Sequence, residues 1–167
     1  ETGSRPKGGV RGITDGVLSV GGEHLNSNGG FDFSTPRYVP ITFATKLDRG
    51  WIKQDDILIV KDGATTGKVS FVDRNFTYTK ALLNEHVFRL RGISEKIAQP
   101  YLFRFLYSEQ GQSMIDTAFR GSAQGGINQS FVEAVSVPLP PLSEQKRIVE
   151  KIEKLFAESR TAREALD

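Results

Sequence analysis

The chain has 167 residues, with 22 Lys and Arg against 20 Asp and Glu, two His, one Trp and no Cys. This length suits one domain with its own core, and the lack of Cys excludes disulfide bonds and thiolate metal sites. A net charge of +2 excludes a polycationic tail, so any nucleic-acid binding must use a local patch. No run of 18 apolar residues predicts a membrane helix, and we expect a cytoplasmic protein without membrane contacts.

The first third of the chain predicts loops around short strands. Residues 1–35 are rich in Gly, Ser, Asn and Thr, and one apolar run, 17–20, interrupts them as a strand. Residues 38–43 predict a second strand. Since Pro40 has no N–H to donate, we expect this strand at a sheet edge.

The middle of the chain predicts a β-hairpin. Residues 57–61 form a β-branched run too short for a helix, which indicates a buried strand. Residues 68–72 alternate polar and apolar, as a half-buried strand does. The glycine-flanked turn at 62–67 joins the two strands. Residues 86–91 alternate in the same way and predict a further strand.

The pattern becomes helical after Pro100, which suits a first helical turn. Apolar residues at helical spacing continue to Phe119, with an interruption expected at Gly111. A polar loop follows at 121–126, and 135–137 predict a last strand. The result is an α+β fold with a mixed, largely antiparallel sheet and short helices in one globular domain, followed by a long coiled-coil-type helix.

The last segment predicts that helix. Ser143 is a good N-cap, and Glu144 places a carboxylate in the first turn, where it favours the helix dipole. Steps of four and three residues then form a heptad seam of Ile148, Ile152, Leu155, Ser159, Ala162 and Leu166. About 24 residues at 1.5 Å each give a helix about 36 Å long. So narrow a seam needs a partner helix from the same chain, a second copy or another subunit, unless the helix lies on its own domain.

Enzyme signatures fit poorly. The segment from Gly63 to Lys68 has three residues between its glycines and Val69 after its Lys, so it does not match a phosphate-binding loop. Neither His24 nor His86 has a recognisable nucleophile–base setting. A metal-dependent nuclease would use the carboxylates around the hairpin, for which turn formation is the simpler explanation; they are Asp55, Asp56, Asp62 and Asp73. We therefore expect no catalytic residue, no metal site and no cofactor in this chain.

Residues 135–149 read VSVPLPPLSEQKRIV and strongly resemble type I restriction–modification specificity subunits, in which a strand ending in P-L-P-P-L-x-E-Q leads into a long helix. This signature is the specific part of the resemblance. Weaker agreement, in the same order along nearly the whole chain, occurs at 1–7, 21–25, 56–60, 63–68, 121–124 and 127–129.

The resemblance implies a target-recognition domain at 1–137, a proline-rich connector at 138–142 and the family's conserved coiled-coil helix at 143–167. In that family two such domains each read half of a split double-stranded DNA target. Modification subunits carrying S-adenosylmethionine dock on the specificity subunit, and a restriction subunit can join. One domain and one helix make about half a subunit, so both a half-subunit that dimerises and a fragment of a longer chain remain open.

Three glycine-rich loops combine cations, which hold phosphates, with polar side chains, which read base edges. The predicted DNA-binding residues are Arg5, Lys7 and Arg11 in the first loop, Thr65, Thr66 and Lys68 in the hairpin, and Arg120, Ser122, Gln124, Asn128 and Gln129 in the third. Ordinary polar loops are the simpler interpretation of each residue alone. The alternative functions are an adaptor that binds proteins through the helix seam and a divergent metal-dependent nuclease.

Overall fold

The computed structural model describes residues 1–92, 94–120 and 126–165. Ser122, Gln124 and Leu166 lie outside these ranges, as does the side chain of Arg120. In the described part, the strands are β1 (Val17–Val20), β2 (Tyr38–Val39), β3 (Ile57–Val60), β4 (Val69–Phe71), β5 (Ala81–Leu83) and β6 (Val87–Leu90). The helices are α1 (Ile41–Ala44), α2 (Gln99–Tyr107), α3 (Glu109–Arg120), α4 (Phe131–Ala134) and α5 (Leu142–Glu164).

The strands form two three-stranded sheets. One sheet has the order β2-β1-β5 and is mixed, because β1 pairs antiparallel with β2 and parallel with β5. The other has the order β4-β3-β6 and is antiparallel. The predicted hairpin is therefore confirmed, with Ile59 opposite Val69. The α+β class with a long C-terminal helix is confirmed as well.

Strand β3 is apolar throughout because its two faces pack in two different hydrophobic cores. Successive side chains of a strand point to opposite faces. Leu58 and Val60 pack in the core of the β2-β1-β5 sheet. Ile57 and Ile59 pack instead among residues of α2 and α3. The central strand thus joins the mixed sheet to the helical layer.

One strand prediction near the N-terminus needs correction, and one strand further along the chain was not predicted. The strand predicted at 38–43 ends at Val39, where Pro40 caps α1 and its carbonyl accepts the Phe43 and Ala44 N–H groups. A proline cannot extend the ladder but is suited to a helix start. Strand β5 was missed, since Ala81–Leu83 is a short run that becomes a strand by pairing with β1.

The helical region also differs from its prediction. The break lies at Ser108, whose hydroxyl donates to the Phe105 carbonyl and accepts the Gly111 N–H. Gly111 lies inside α3, and a Cβ there would collide with the Phe105 carbonyl oxygen. Glycine at this position thus permits the close approach of α2 and α3 rather than interrupting a helix.

The strand predicted at 135–137 is wrong. These residues follow α4 and form no strand, although Val135 and Val137 are half-buried and Ser136 is exposed. The alternation comes from an extended segment packed on the helical core, where Val135 contacts the apolar cluster. No neighbouring strand pairs with it in the described residues.

Helix α5 begins one residue before the predicted cap. Pro141 is the N-cap, Leu142 the first helical residue, and Ser143 makes no capping hydrogen bond. Glu144 lies in the first turn, as predicted. Helix α5 packs against α2. None of the helices in the described residues has the length and apolar character needed to cross a membrane.

Candidate nucleic-acid interface

The described parts of the three predicted loops lie around one polar turn, Asn84–His86, between β5 and β6. Arg5 Nε lies 2.9 Å from Glu85 Oε1, which ties the first loop to this turn. His86 Nδ1 contacts the Asp62 carboxylate at the base of the hairpin turn. The Lys61 N–H donates to the His86 carbonyl at 2.9 Å. The turn therefore joins the first two loops into one surface.

The described part of the third loop, residues 126–129, joins the same surface through the backbone. Asp62 and Gly126 form an antiparallel bridge, and the Ile127 N–H donates to the Lys61 carbonyl at 2.6 Å. Gln129 is exposed beyond this bridge. The Asn128 Oδ1 accepts the Ser130 N–H at 2.9 Å, so this amide shapes the turn into α4.

The cations predicted to hold DNA have unequal surroundings. Lys7 and Arg11 are exposed and form no ion pair among the described residues. Arg5 is 57% exposed although it pairs with Glu85. Lys68 is different, because its ammonium donates to the Leu25 carbonyl at 3.0 Å and its side chain is half-buried. Lys68 thus anchors the hairpin to the preceding loop.

The two predicted threonines lie in the hairpin turn. The Thr66 hydroxyl donates to the Gly63 carbonyl at 2.7 Å and closes the turn. Thr65 is exposed and lies next to Gly22, in a single 3-10 turn at Gly22–His24. Of the two side chains, Thr65 therefore has the hydroxyl better placed for an external contact.

A cleft of about 200 Å³ opens beside the Asn84–His86 turn. Among the residues that line it, only Arg5 was predicted from the sequence to bind DNA. The others are Val10, Ser19, Glu23, Arg37, Asn84, Glu85 and His86. Three consecutive polar residues between two buried strands, Asn84, Glu85 and His86, are a pattern from which this part of the cleft could have been predicted. No local pattern marks Glu23 and Arg37 as neighbours, because the pairing of β1 with β2 brings them to one cleft.

The carboxylates of the nuclease alternative do not converge. Asp56 has no exposed surface, and Arg91 binds both its oxygens at 2.7 and 2.8 Å. Asp73 accepts the Asn75 N–H in a turn, whereas Asp62 contacts His86. No group of three or more His, Asp or Glu suited to a metal ion occurs in the described residues.

The helix seam is partly sheltered by its own domain. Ile148 and Ile152 are half-buried, while Leu155 is 50% exposed and Ser159 and Ala162 are exposed. Phe156, absent from the predicted seam, is 46% exposed. Its ring lies beneath the Arg104 guanidinium of α2, 5.0 Å from centroid to carbon.

Comparisons with known proteins agree with this architecture. The family model for the type I restriction modification DNA specificity domain matches residues 23–166. The StySPI specificity subunit of Salmonella potsdam is 32% identical over 108 residues, which are 64% of this chain and 23% of that subunit. The EcoDI specificity subunit of Escherichia coli is 30% identical over 110 residues, 59% of this chain and 25% of that subunit.

A solved structure shares the fold. The HsdS subunit from Thermoanaerobacter tengcongensis aligns with a TM-score of 0.66 at 19% identity, over 89% of this chain and 38% of that one. The sequence alignments with the StySPI and EcoDI subunits span about a quarter of the length of those two relatives. Because the family model covers most of the chain, this protein belongs to the family of type I restriction modification DNA specificity domains.

Proposed function

We propose that this chain recognises one half of a split double-stranded DNA target and directs partner subunits to it. The observation that carries the proposal is that the first loop and the hairpin turn both contact the Asn84–His86 turn, while residues 126–129 of the third loop join the hairpin turn at Asp62. Exposed Lys7 and Arg11 hold phosphates, while Thr65 and Gln129 offer polar groups to base edges. Family membership supports the same conclusion.

We assign a separate role to each of three successive segments of the chain. Residues 1–137 recognise DNA, 138–142 connect, and 143–167 pair with a helix of a second copy or a second half. Helix α5 has 23 residues and is about 35 Å long, close to one turn of B-DNA. Catalysis belongs to partners, namely a modification subunit that binds S-adenosylmethionine and a restriction subunit.

The salt dependence of duplex binding tests this proposal. Each phosphate contact releases counterions, which gives a slope of about −0.9 in log K against log salt. We expect the double substitution Lys7→Ala and Arg11→Ala to weaken binding to every duplex and to make the slope less negative by about 2. The measurement is a fluorescence-anisotropy titration at several salt concentrations.

Arg74→Ala is the matched control. Arg74 is exposed and follows β4, at the opposite end of the β3–β4 hairpin from the Gly63–Gly67 turn. Its removal should leave both affinity and slope near wild type. Equal losses in the control and in the Lys7/Arg11 variant would place the DNA elsewhere on the molecule.

A further inference from the structure

The cleft beside the Asn84–His86 turn has a chemically mixed lining that includes one unused polar atom. Glu85 Oε2 is buried and has no hydrogen-bond partner among the described residues. Buried polar groups are normally satisfied, so this atom indicates a cleft suited to a polar ligand.

The backbone at Gly21 leaves room for the Glu23 side chain in this cleft. The Glu23 carboxylate and the Asn84 carboxamide both lie over Gly21, where a Cβ would collide with each of them. The Gly21 N–H donates to Nδ1 of buried His24 at 2.9 Å, while Nε2 of that ring lies 3.3 Å from the Thr35 carbonyl. His24 is thus a positioning residue for the floor of the cleft.

The cleft contains two acidic residues, of which Glu85 forms ion pairs with other described residues and Glu23 does not. Glu85 is bound by Arg5 at 2.9 Å and lies 3.3 Å from His86 Nε2. Glu23 is exposed and forms no ion pair in the described residues, not even with Arg37 in the same cleft. A carboxylate on a DNA-facing surface repels phosphates unless it accepts a hydrogen bond from a base.

We propose that Glu23 is a specificity-determining residue that accepts a hydrogen bond from the exocyclic N4 amino group of one cytosine in the target. The neighbouring Arg37 guanidinium contributes the positive charge that keeps this acid compatible with DNA. The inference rests on the proposed function, because it assigns one contact within that DNA interface. Glu23→Gln tests it, since the variant keeps the shape of the side chain but replaces one acceptor oxygen with a donor.

Selection from a randomised duplex pool, followed by sequencing, measures the effect for the whole chain. We expect Glu23→Gln to lose about tenfold preference at one base pair of the selected motif and to keep the preferences elsewhere. The lost preference should be for a C·G pair, because glutamine is suited to adenine N6 and N7 whereas a carboxylate is suited to cytosine N4. Unchanged preference at every C·G pair of the motif would overturn the inference. Glu95→Gln, the same change at an exposed site outside the cleft, should select the wild-type motif.

The outcomes separate this inference from the proposed function. If the wild-type chain selects no motif, the proposed function fails and this inference fails with it. If wild type selects a motif but Glu23→Gln selects the same motif and binds all duplexes more tightly, Glu23 only repels phosphates. That result would overturn the inference and leave the proposed function standing.

Discussion

Asp56 illustrates how one buried charge is tolerated in this core. It has no exposed surface, accepts the Lys53 N–H at 2.8 Å and is bound through both oxygens by Arg91. Burial raises the pKa of the Asp56 carboxyl, and the hydrogen bonds from Arg91 and Lys53 oppose this only in part. The folded state therefore binds this proton more tightly than the unfolded state, so the contribution of Asp56 to stability declines as pH rises through its pKa.

Arg91→Ala should lower the free energy of unfolding by about 3 kcal/mol at pH 7, because a buried carboxylate loses its partner. The value is at the low end for a buried pair, since the Arg91 side chain is 37% exposed. The penalty should shrink as pH falls from 7 to 5, because the unpartnered carboxyl has a still higher pKa and becomes neutral. Urea unfolding at both pH values measures this.

Arg147→Ala provides the matched control for that experiment. Arg147 pairs with Glu144 on the surface of α5 and is 78% exposed, so its loss should lower the free energy of unfolding far less than the loss of Arg91. An Arg91→Ala penalty that is the same at both pH values would show that Asp56 does not take up the proton.

Gln145 fixes the first turn of α5 to the rest of the domain. The side chain has no exposed surface, accepts the Ala98 N–H and donates to the Lys96 and Pro140 carbonyls, each at 2.8 Å. The Tyr101 hydroxyl adds a bond to the Pro138 carbonyl, also at 2.8 Å. These bonds join the proline-rich segment, the start of α2 and the start of α5.

Gln145→Ala should lower the free energy of unfolding by about 3 kcal/mol, because three backbone groups lose their partner and a cavity forms. Amide exchange at Ala98 should become faster, which separates a loosened attachment from a purely global loss. Gln110→Ala, at an exposed position of α3, is the control and should change stability little. Wild-type exchange at Ala98 in the Gln145 variant would contradict the anchoring role.

The exposed part of the seam should bind a second α5. We expect the chain to self-associate at high concentration and Leu155→Glu to leave it monomeric, as measured by sedimentation equilibrium. Leu155 is a sharper target than Ile152, because it is 50% exposed while Ile152 is half-buried within its own domain. A charge in the seam opposes pairing.

Ala157→Glu introduces the same side chain on the other side of the helix. Ala157 is exposed and lies two residues after Leu155, about 200° around the helix axis. It should associate as wild type does. A wild-type chain that stays monomeric at every concentration would contradict pairing with a second copy.

The sequence predicted those elements whose pattern is local. Strand β3 and its hairpin were found because a β-branched run and a glycine-flanked turn are signals within a few residues. The short β5 was missed, since its strand character comes from parallel pairing with β1, more than 60 residues earlier. The extended 135–137 segment shows the converse, in which alternation arises from packing on helices without a neighbouring strand.

In the candidate site, too, local features were predicted from the sequence and features that depend on distant contacts were not. The sequence identified loops that meet, but the internal role of Lys68 depends on the Leu25 carbonyl 43 residues away, which no local pattern reveals. Glu23 and Arg37 were missed because only the fold brings them to one cleft. Gln145 belongs to the P-L-P-P-L-x-E-Q signature and was noticed only through the family resemblance. Its buried hydrogen bonds explain physically what this glutamine does in the fold.

At the scale of the whole molecule, the loops form a surface of mixed charge on a nearly neutral protein. The Arg5–Glu85 and Lys61–Asp62 pairs balance part of that surface. Bulk electrostatic attraction is therefore weak, and affinity has to depend on matching contacts to a particular duplex. This arrangement suits a domain that discriminates among sequences.

The ratio of affinities for the duplex that the chain selects and for a scrambled duplex of equal length and composition tests the central claim most directly. Measured by competition at physiological salt, the ratio should be at least about tenfold, since each mismatched base pair costs about 1–3 kcal/mol. Equal affinities for the two duplexes would contradict sequence recognition by this chain.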